Sequence, residues 1–88
     1  MYFPPSMAKV LKVVFDTGPI TPTDIEKKLA LSRRTVRYGL RSLRDRGLIK
    51  RFPNLRDTRS FLYKVDVPRM NRDQRNLLNQ ILILNKFL

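Results

Sequence analysis

The sequence predicts an α+β fold that is mostly helical: three helices, then a two-stranded β hairpin, then a last helix. Apolar residues recur at helical spacing in four segments, and two short runs rich in β-branched and aromatic residues lie between the third and the fourth. Gly18-Pro19 and Gly47 stand where the first and third helices should end. With 88 residues, the chain forms one small core that is marginal without a second copy or another partner.

Caps and turn signals set the bounds of the first three helices. Ser6 is expected to cap the first helix. Thr21-Pro22-Thr23-Asp24 supplies the second helix with a cap, a proline at the first helical position and an acid three residues after the cap. A tight turn at residues 30–32 follows, and Ser32 is expected to cap a third helix over residues 33–46. Two helices joined by so short a turn have the spacing of a helix-turn-helix.

The third helix is predicted to have two unlike faces. At 100° per residue, Val36, Leu40 and Leu43 fall on one stripe, which is predicted to be core. The opposite face carries residues able to form hydrogen bonds: Arg34, Arg37, Tyr38, Arg41 and Asp45.

The hairpin and the last helix complete the chain. Residues 48–52 and 60–65 are predicted strands, and the loop between them has a basic tip. Asn71 is expected to cap the last helix. The apolar residues of this helix form a broad band, and Ile83 and Phe87 extend the band nearly all the way around the helix. So wide a band exceeds what one neighbour covers, which predicts a homodimer formed through this helix. The predicted dimer contacts are Leu77, Leu78, Ile81, Leu82, Leu84 and Leu88.

Basic residues are concentrated in the third helix and the hairpin. The chain has 19 Lys and Arg against 7 Asp and Glu, a net charge of +12. Residues 33–64 hold eleven of the basic residues and two of the acidic ones. Like charges four residues apart at Arg33, Arg37 and Arg41 destabilise an isolated helix. The clustering therefore favours a face that binds an anionic partner, with nucleic acid the first candidate.

The composition also excludes several classes of function. The chain has no Cys and no His, which excludes disulfides and the usual zinc sites, and no cofactor is expected. No two carboxylates are spaced to suggest a shared catalytic site, so an enzyme is the least favoured class. The start of the chain is unlike a signal peptide, and no apolar stretch approaches the roughly 20 residues of a membrane span. We expect a cytoplasmic protein with no membrane contact.

Four segments carry a resemblance to a known family: residues 21–25, which open the second helix, residues 31–36, residues 43–49 and Asp57-Thr58-Arg59 in the hairpin loop. In their order of elements they resemble the MarR-like winged helix regulators and related small archaeal ones. The resemblance implies a winged helix-turn-helix domain over residues 1–66, with the hairpin as its wing, and a dimerisation helix over residues 67–88. The chain lacks the long N-terminal helix and further C-terminal helices of larger members, so no small-molecule effector is expected.

The resemblance also implies a binding mode. The third helix would enter the major groove of double-stranded DNA. Arg59 would reach the adjacent minor groove, with Asp57 orienting it. Arginine can bind guanine O6 and N7 or a phosphate, and the Tyr38 hydroxyl can reach a phosphate while its ring covers a sugar or a thymine methyl group. The predicted DNA-binding residues are Ser32, Arg33, Arg34, Thr35, Arg37, Tyr38, Arg41, Arg56, Asp57 and Arg59.

The favoured function is therefore a sequence-specific DNA-binding transcriptional regulator that acts as a homodimer. One alternative is an architectural, chromatin-like protein that uses the same basic face with little sequence preference. Another is a winged helix that serves as a protein-interaction module, although such modules seldom carry so many arginines on the third helix.

Overall fold

The computed structural model describes residues 4–85, and its elements follow the predicted order. They are α1 (Pro5–Thr17), α2 (Pro22–Leu29), α3 (Arg33–Asp45), β1 (Lys50–Pro53), β2 (Phe61–Lys64), a 3-10 turn (Val67–Arg69) and α4 (Arg72–Asn85). Within residues 4–85, four helices and one two-stranded antiparallel sheet confirm the mostly helical α+β class. Over residues 4–85, no helix has the length and apolar character needed to cross a membrane. The cytoplasmic location stays a prediction.

The start of α1 differs from the prediction. Pro4 is the N-cap and Pro5 the first helical residue, so the expected cap Ser6 lies inside the first turn. Proline suits this position because its fixed φ is already helical and its missing N–H would have no partner there. The carbonyl of Pro4 accepts hydrogen bonds from the backbone N–H of Met7 at 3.0 Å and of Ala8 at 3.2 Å. The prediction that Ser6 caps this helix was therefore wrong.

The caps of α2 and α3 are confirmed. Thr21 Oγ1 accepts a hydrogen bond from the backbone N–H of Asp24 at 3.2 Å. Ser32 Oγ accepts one from the backbone N–H of Thr35, also at 3.2 Å. Between the two helices, Ala30 takes a left-handed conformation with φ 54° and ψ 38°. This single residue makes the sharp turn that sets α3 across α2.

One hydrophobic core joins all four helices. The predicted stripe of α3 is confirmed, because Val36, Leu40 and Leu43 are at most 1% exposed. Gly39 is also buried, where α3 crosses α1 next to Val10. Among residues 4–85, no polar or charged residue is buried. The core consists of Met7, Ala8, Val10, Leu11, Val14, Ile20, Ile25, Val36, Leu40, Leu43, Leu48, Ile49, Met70, Leu78 and Ile81.

α4 uses part of its apolar band within its own chain. Leu78 and Ile81 are 3% and 2% exposed and belong to the core, where α4 packs on α1. The prediction that these two residues contact a partner is corrected, because the monomer already covers them. Leu77 and Leu82 are half-buried at the edge of that core, while Leu84 is exposed. Leu88 lies outside the described residues, as does Phe87.

The wing is attached to the helical core on one side. β1 and β2 pair antiparallel, with Arg51 opposite Tyr63. Tyr63 also pairs with Ile20, each donating its backbone N–H to the other's carbonyl at 2.9 and 3.1 Å. Gly47 ends the α3 segment with φ 74°, as predicted. β1 begins two residues later than predicted because Leu48 and Ile49 enter the core instead, and β2 is one residue shorter than predicted at each end.

The predicted cap of α4 is also confirmed. Asn71 Oδ1 accepts a hydrogen bond from the backbone N–H of Gln74 at 2.8 Å, and Gln74 Oε1 accepts one from the backbone N–H of Asn71 at 2.9 Å. This reciprocal pair satisfies two backbone donors that have no partner within the helix.

Candidate nucleic-acid interface

The outward face of α3 is basic along its length. Because the apolar stripe of α3 is buried, the opposite side of the helix points into solvent. Arg34, Arg37 and Arg41 lie on that side, and all three are exposed. Tyr38 lies among them and is 66% exposed, so its ring has little packing within the chain. A large aromatic side chain left so open is available to a partner.

The first turn of α3 is more constrained than the rest of this face. Ser32 and Thr35 share a hydroxyl hydrogen bond of 2.8 Å in addition to the cap, and Thr35 is half-buried. Arg33 Nε lies 4.0 Å from Glu26 Oε1, and the Arg33 side chain is 70% exposed. A solvated pair at that distance contributes little stability, so Arg33 remains able to exchange Glu26 for another anion.

The wing loop is held by its own hydrogen bonds. Asn54 Oδ1 accepts from the backbone N–H of Arg56, and Asn54 Nδ2 donates to Ser60 Oγ, both at 3.1 Å. The backbone N–H of Asp57 donates to the carbonyl of Asn54, and that of Ser60 to the carbonyl of Asp57. Two linked turns therefore carry the exposed Arg56 at the tip of the loop.

Asp57 and Arg59 are in direct contact, as the family resemblance implied. Asp57 Oδ1 accepts from the backbone N–H of Arg59 at 3.1 Å and from its Nε at 3.2 Å. These two bonds lower the pKa of Asp57, the backbone bond having the larger effect. The Arg59 side chain is nevertheless 91% exposed. The Asp57 carboxylate thus binds Arg59 at Nε, while the Arg59 guanidinium projects into solvent.

A groove of about 430 Å³ separates α3 from the wing. The residues that line it include six arginines and one carboxylate, that of Glu26. The arginines are Arg33, Arg37, Arg41, Arg44, Arg51 and Arg59. The groove brings four predicted residues together in one cationic surface: Arg33, Arg37 and Arg41 of the helix and Arg59 of the wing. The other predicted residues do not line it: Ser32, Arg34, Thr35, Tyr38, Arg56 and Asp57.

Two of these arginines were not predicted from the sequence. Arg44 follows Arg37 and Arg41 at the i, i+4, i+7 spacing of one helix face, so its position could have been found from the sequence. Arg51 lies on β1, and its guanidinium carbon is 4.2 Å from the centre of the Phe61 ring. Nothing local in the sequence indicates that this strand faces the end of α3.

The described residues offer this surface little chemistry beyond charge and hydrogen bonding. Residues 4–85 contain no group of three or more His, Cys, Asp or Glu side chains placed to hold a metal ion. The groove presents guanidinium groups, hydroxyls and aromatic rings. Such a set recognises anions and planar groups.

Comparisons with known proteins find one family model and several solved structures similar to the chain. The MarR family model matches residues 4–61. A mutant MarR from E. coli in complex with operator DNA shares 25% identity at a TM-score of 0.69, covering 86% of this chain and 51% of that one. No curated protein sequence matches the chain.

Two further solved structures share the fold. BpsR of Bordetella bronchiseptica, whose DNA binding is regulated by 6-hydroxynicotinic acid, has 23% identity and a TM-score of 0.75, covering 96% of this chain and 56% of that one. Streptococcus pneumoniae FabT in complex with DNA has 20% identity and a TM-score of 0.64, covering 92% and 52%. The chain spans about half the length of the solved structures it matches.

Proposed function

The chain belongs to the MarR family, and from this premise we propose that it is a transcriptional regulator that binds double-stranded DNA as a homodimer. The observation that carries the proposal is the single cationic surface formed by α3 and the wing, with six arginines around one groove. A surface with so few carboxylates binds a polyanion and repels a second copy of itself. The proposal gives the chain no catalytic role.

In the proposed complex, α3 lies in the major groove. Arg34, Arg37 and Arg41 are exposed on one side of a helix whose other side is buried, as groove insertion requires. A bidentate arginine contact with guanine is worth about 1–3 kcal/mol of discrimination against another base. Tyr38 adds a ring for thymine methyl groups or sugars and a hydroxyl for phosphate.

The wing lies in the adjacent minor groove. Arg59 projects from a turn that Asp57 fixes, and Arg56 projects from the same loop. A narrow minor groove has an enhanced negative potential that attracts arginine. Ordered turns reduce the conformational entropy that the loop loses on binding.

Two copies pair through α4 in this proposal. Ile83 and Leu84 are 56% and 42% exposed, and with the half-buried Leu77 and Leu82 they form the apolar surface that α4 leaves uncovered. In this proposal residues 67–88 serve dimerisation, with Leu88 among the contacts, and residues 1–66 serve DNA binding. A two-fold dimer places its half-sites about 34 Å, or a multiple of this, apart. The absence of a small-molecule effector stays a prediction.

Selection of bound fragments from a random DNA pool tests the proposal. Recovered sequences should be imperfect palindromes, and affinity should fall on the order of a thousandfold between about 50 and 200 mM salt if about six phosphates are neutralised. R37A and Y38A should weaken the selected site more than random DNA. K9A, which removes an exposed charge from α1 that does not line the groove, serves as the control.

One observation favours the architectural alternative. The excess of nine positive charges in residues 33–64 would also bind DNA without regard to sequence. A ratio of selected-site to random-DNA affinity near one, with R37A weakening both equally, would decide for that alternative. Absence of DNA binding in about 50 mM salt would overturn both functions.

A further inference from the structure

The groove between α3 and the wing continues past the end of the helix. Arg44 and Arg51 line this groove, and both also line a second depression beside it, together with Lys50 and Gly47. The two hollows therefore form one basic track from the middle of α3 to the start of β1. Along this track the cations come from both α3 and β1.

A DNA duplex has its own reason to place a strand in this track. One sugar-phosphate strand separates each major groove from the minor groove beside it. A protein with α3 in one groove and a wing in the next must straddle that strand, and the only space for it is between the two elements. The strand carries one negative charge per ~3.4 Å of helix axis.

Resting on the proposed function, we infer that this track is a phosphate channel in which Arg44 and Arg51 bind the DNA backbone and Phe61 is the positioning residue for Arg51. Neither arginine reads a base. They fix the position of the duplex while the outer face of α3 reads it.

The contact between Arg51 and Phe61 suits this role. The guanidinium carbon lies 4.2 Å from the ring centre, at the distance of a cation–π interaction. A guanidinium that stacks on an aromatic ring keeps its N–H groups, which lie in its plane, available to a partner. A long side chain that would otherwise sample many rotamers is thereby held with its donors towards the track.

Arg44 approaches the track from the helix side. It lies in the last turn of α3 and is half-buried, so its stem is packed and its position is restricted. A cation is favoured at the C-terminal end of a helix by the helix dipole. Arg44 of α3 and Arg51 of β1 thus line the same depression.

The test compares salt dependence for a selected site and for random DNA. R44A and R51A should each weaken both DNAs equally, by roughly threefold to tenfold at low salt, and each should reduce the slope of log Kd against log salt by about one. R37A, measured beside them, should instead weaken the selected site more than random DNA. R37A and R51A should keep melting temperatures close to that of the original chain, because both side chains are exposed, whereas R44A removes a packed stem and should lower the melting temperature slightly.

Phe61 is tested by a double-mutant cycle. F61L should weaken DNA binding less than R51A does, and F61L added to R51A should have no further effect, because the ring acts through the guanidinium. F61Y, which keeps an aromatic ring at this position, should restore the DNA affinity that F61L loses. A merely structural role would give additive losses.

The outcomes separate the channel from the proposed function. Unchanged salt slopes in R44A and R51A, with R37A still discriminating, would overturn the channel and leave the regulator intact. Loss of the selected site alone in R51A would make it a base-reading residue and also overturn the channel. Failure of the original chain to bind DNA would overturn both.

Discussion

Gly47 lies against the side-chain amide of Gln74, so closely that a Cβ at position 47 would overlap Gln74 Nε2. The same amide donates to the carbonyl of Arg46 at 3.4 Å and accepts from the backbone N–H of Asn71 at 2.9 Å. One side chain therefore caps α4 and fastens it to the end of α3. A side chain introduced at residue 47 would therefore disturb both α3 and α4.

G47A should destabilise the protein by at least about 1–2 kcal/mol, because alanine is strained at φ 74° and its methyl group displaces Gln74. Urea unfolding measures the change. Q74A should cost less stability in G47A than in the original chain, because the overlap in G47A has already displaced Gln74 from its hydrogen bonds. Equal stability of G47A and the original chain would contradict this account of the junction.

G39A should change the free energy of unfolding in the opposite direction to G47A. A Cβ at position 39 would meet Val10 Cγ2 at 3.6 Å, an ordinary contact distance, and Gly39 has a negative φ in the middle of α3. Replacing a mid-helix glycine by alanine should stabilise the protein by about 0.5–1 kcal/mol. Thermal unfolding measures this change in stability. A lower melting temperature would mean that α1 and α3 are packed too tightly at Gly39 to accept a methyl group.

The carboxyl group of Asp57 should titrate below its usual value of 3.8. Its pKa is lowered in the folded protein, so the stabilisation of the wing turn is present above that value and is lost as the pH falls through the folded pKa. NMR titration of the Asp57 carboxyl measures the midpoint. R59A should raise it only part of the way, because the backbone N–H of residue 59, the larger cause, remains. A midpoint at or above 3.8 in the original chain would be inconsistent with the two hydrogen bonds.

The two sides of α4 should respond differently to charge. I83D combined with L84D should give a folded monomer, because both side chains are exposed in the single chain. I81D should unfold the chain, since Ile81 is 2% exposed and aspartate would be buried there unpaired. Sedimentation and circular dichroism distinguish these results. A double variant that still sediments as a dimer would exclude this face of α4 as the interface.

Periodicity and capping predicted most of the fold because they are local. The buried stripe of Val36, Leu40 and Leu43 needs only the helical repeat, and the caps at Thr21 and Ser32 need only neighbouring backbone groups. α4 was a different case, because its apolar band runs nearly all round. Which side of α4 packs inward depends on the surface that α1 leaves uncovered. The sequence of α4 alone does not indicate that surface.

The candidate site divides in the same way. The exposed arginines of α3 follow from the spacing, and the contact between Asp57 and Arg59 was implied by the resemblance. The nearness of Arg51 to α3 depends on how the hairpin folds back, which the pairing of Ile20 with Tyr63 fixes across more than forty residues. Long-range contacts of this kind leave no local pattern.

The pairing of Tyr63 with Ile20 also leaves β1 as the outer strand of the hairpin. An open strand edge is a template onto which a strand from another molecule can add, and such addition leads to aggregation. Pro53 has no N–H to offer an incoming strand, and Lys50 and Arg51 set like charges against a second copy of the same edge. The composition of β1 thus protects a concentrated solution of this protein against sheet growth, independently of anything the wing binds.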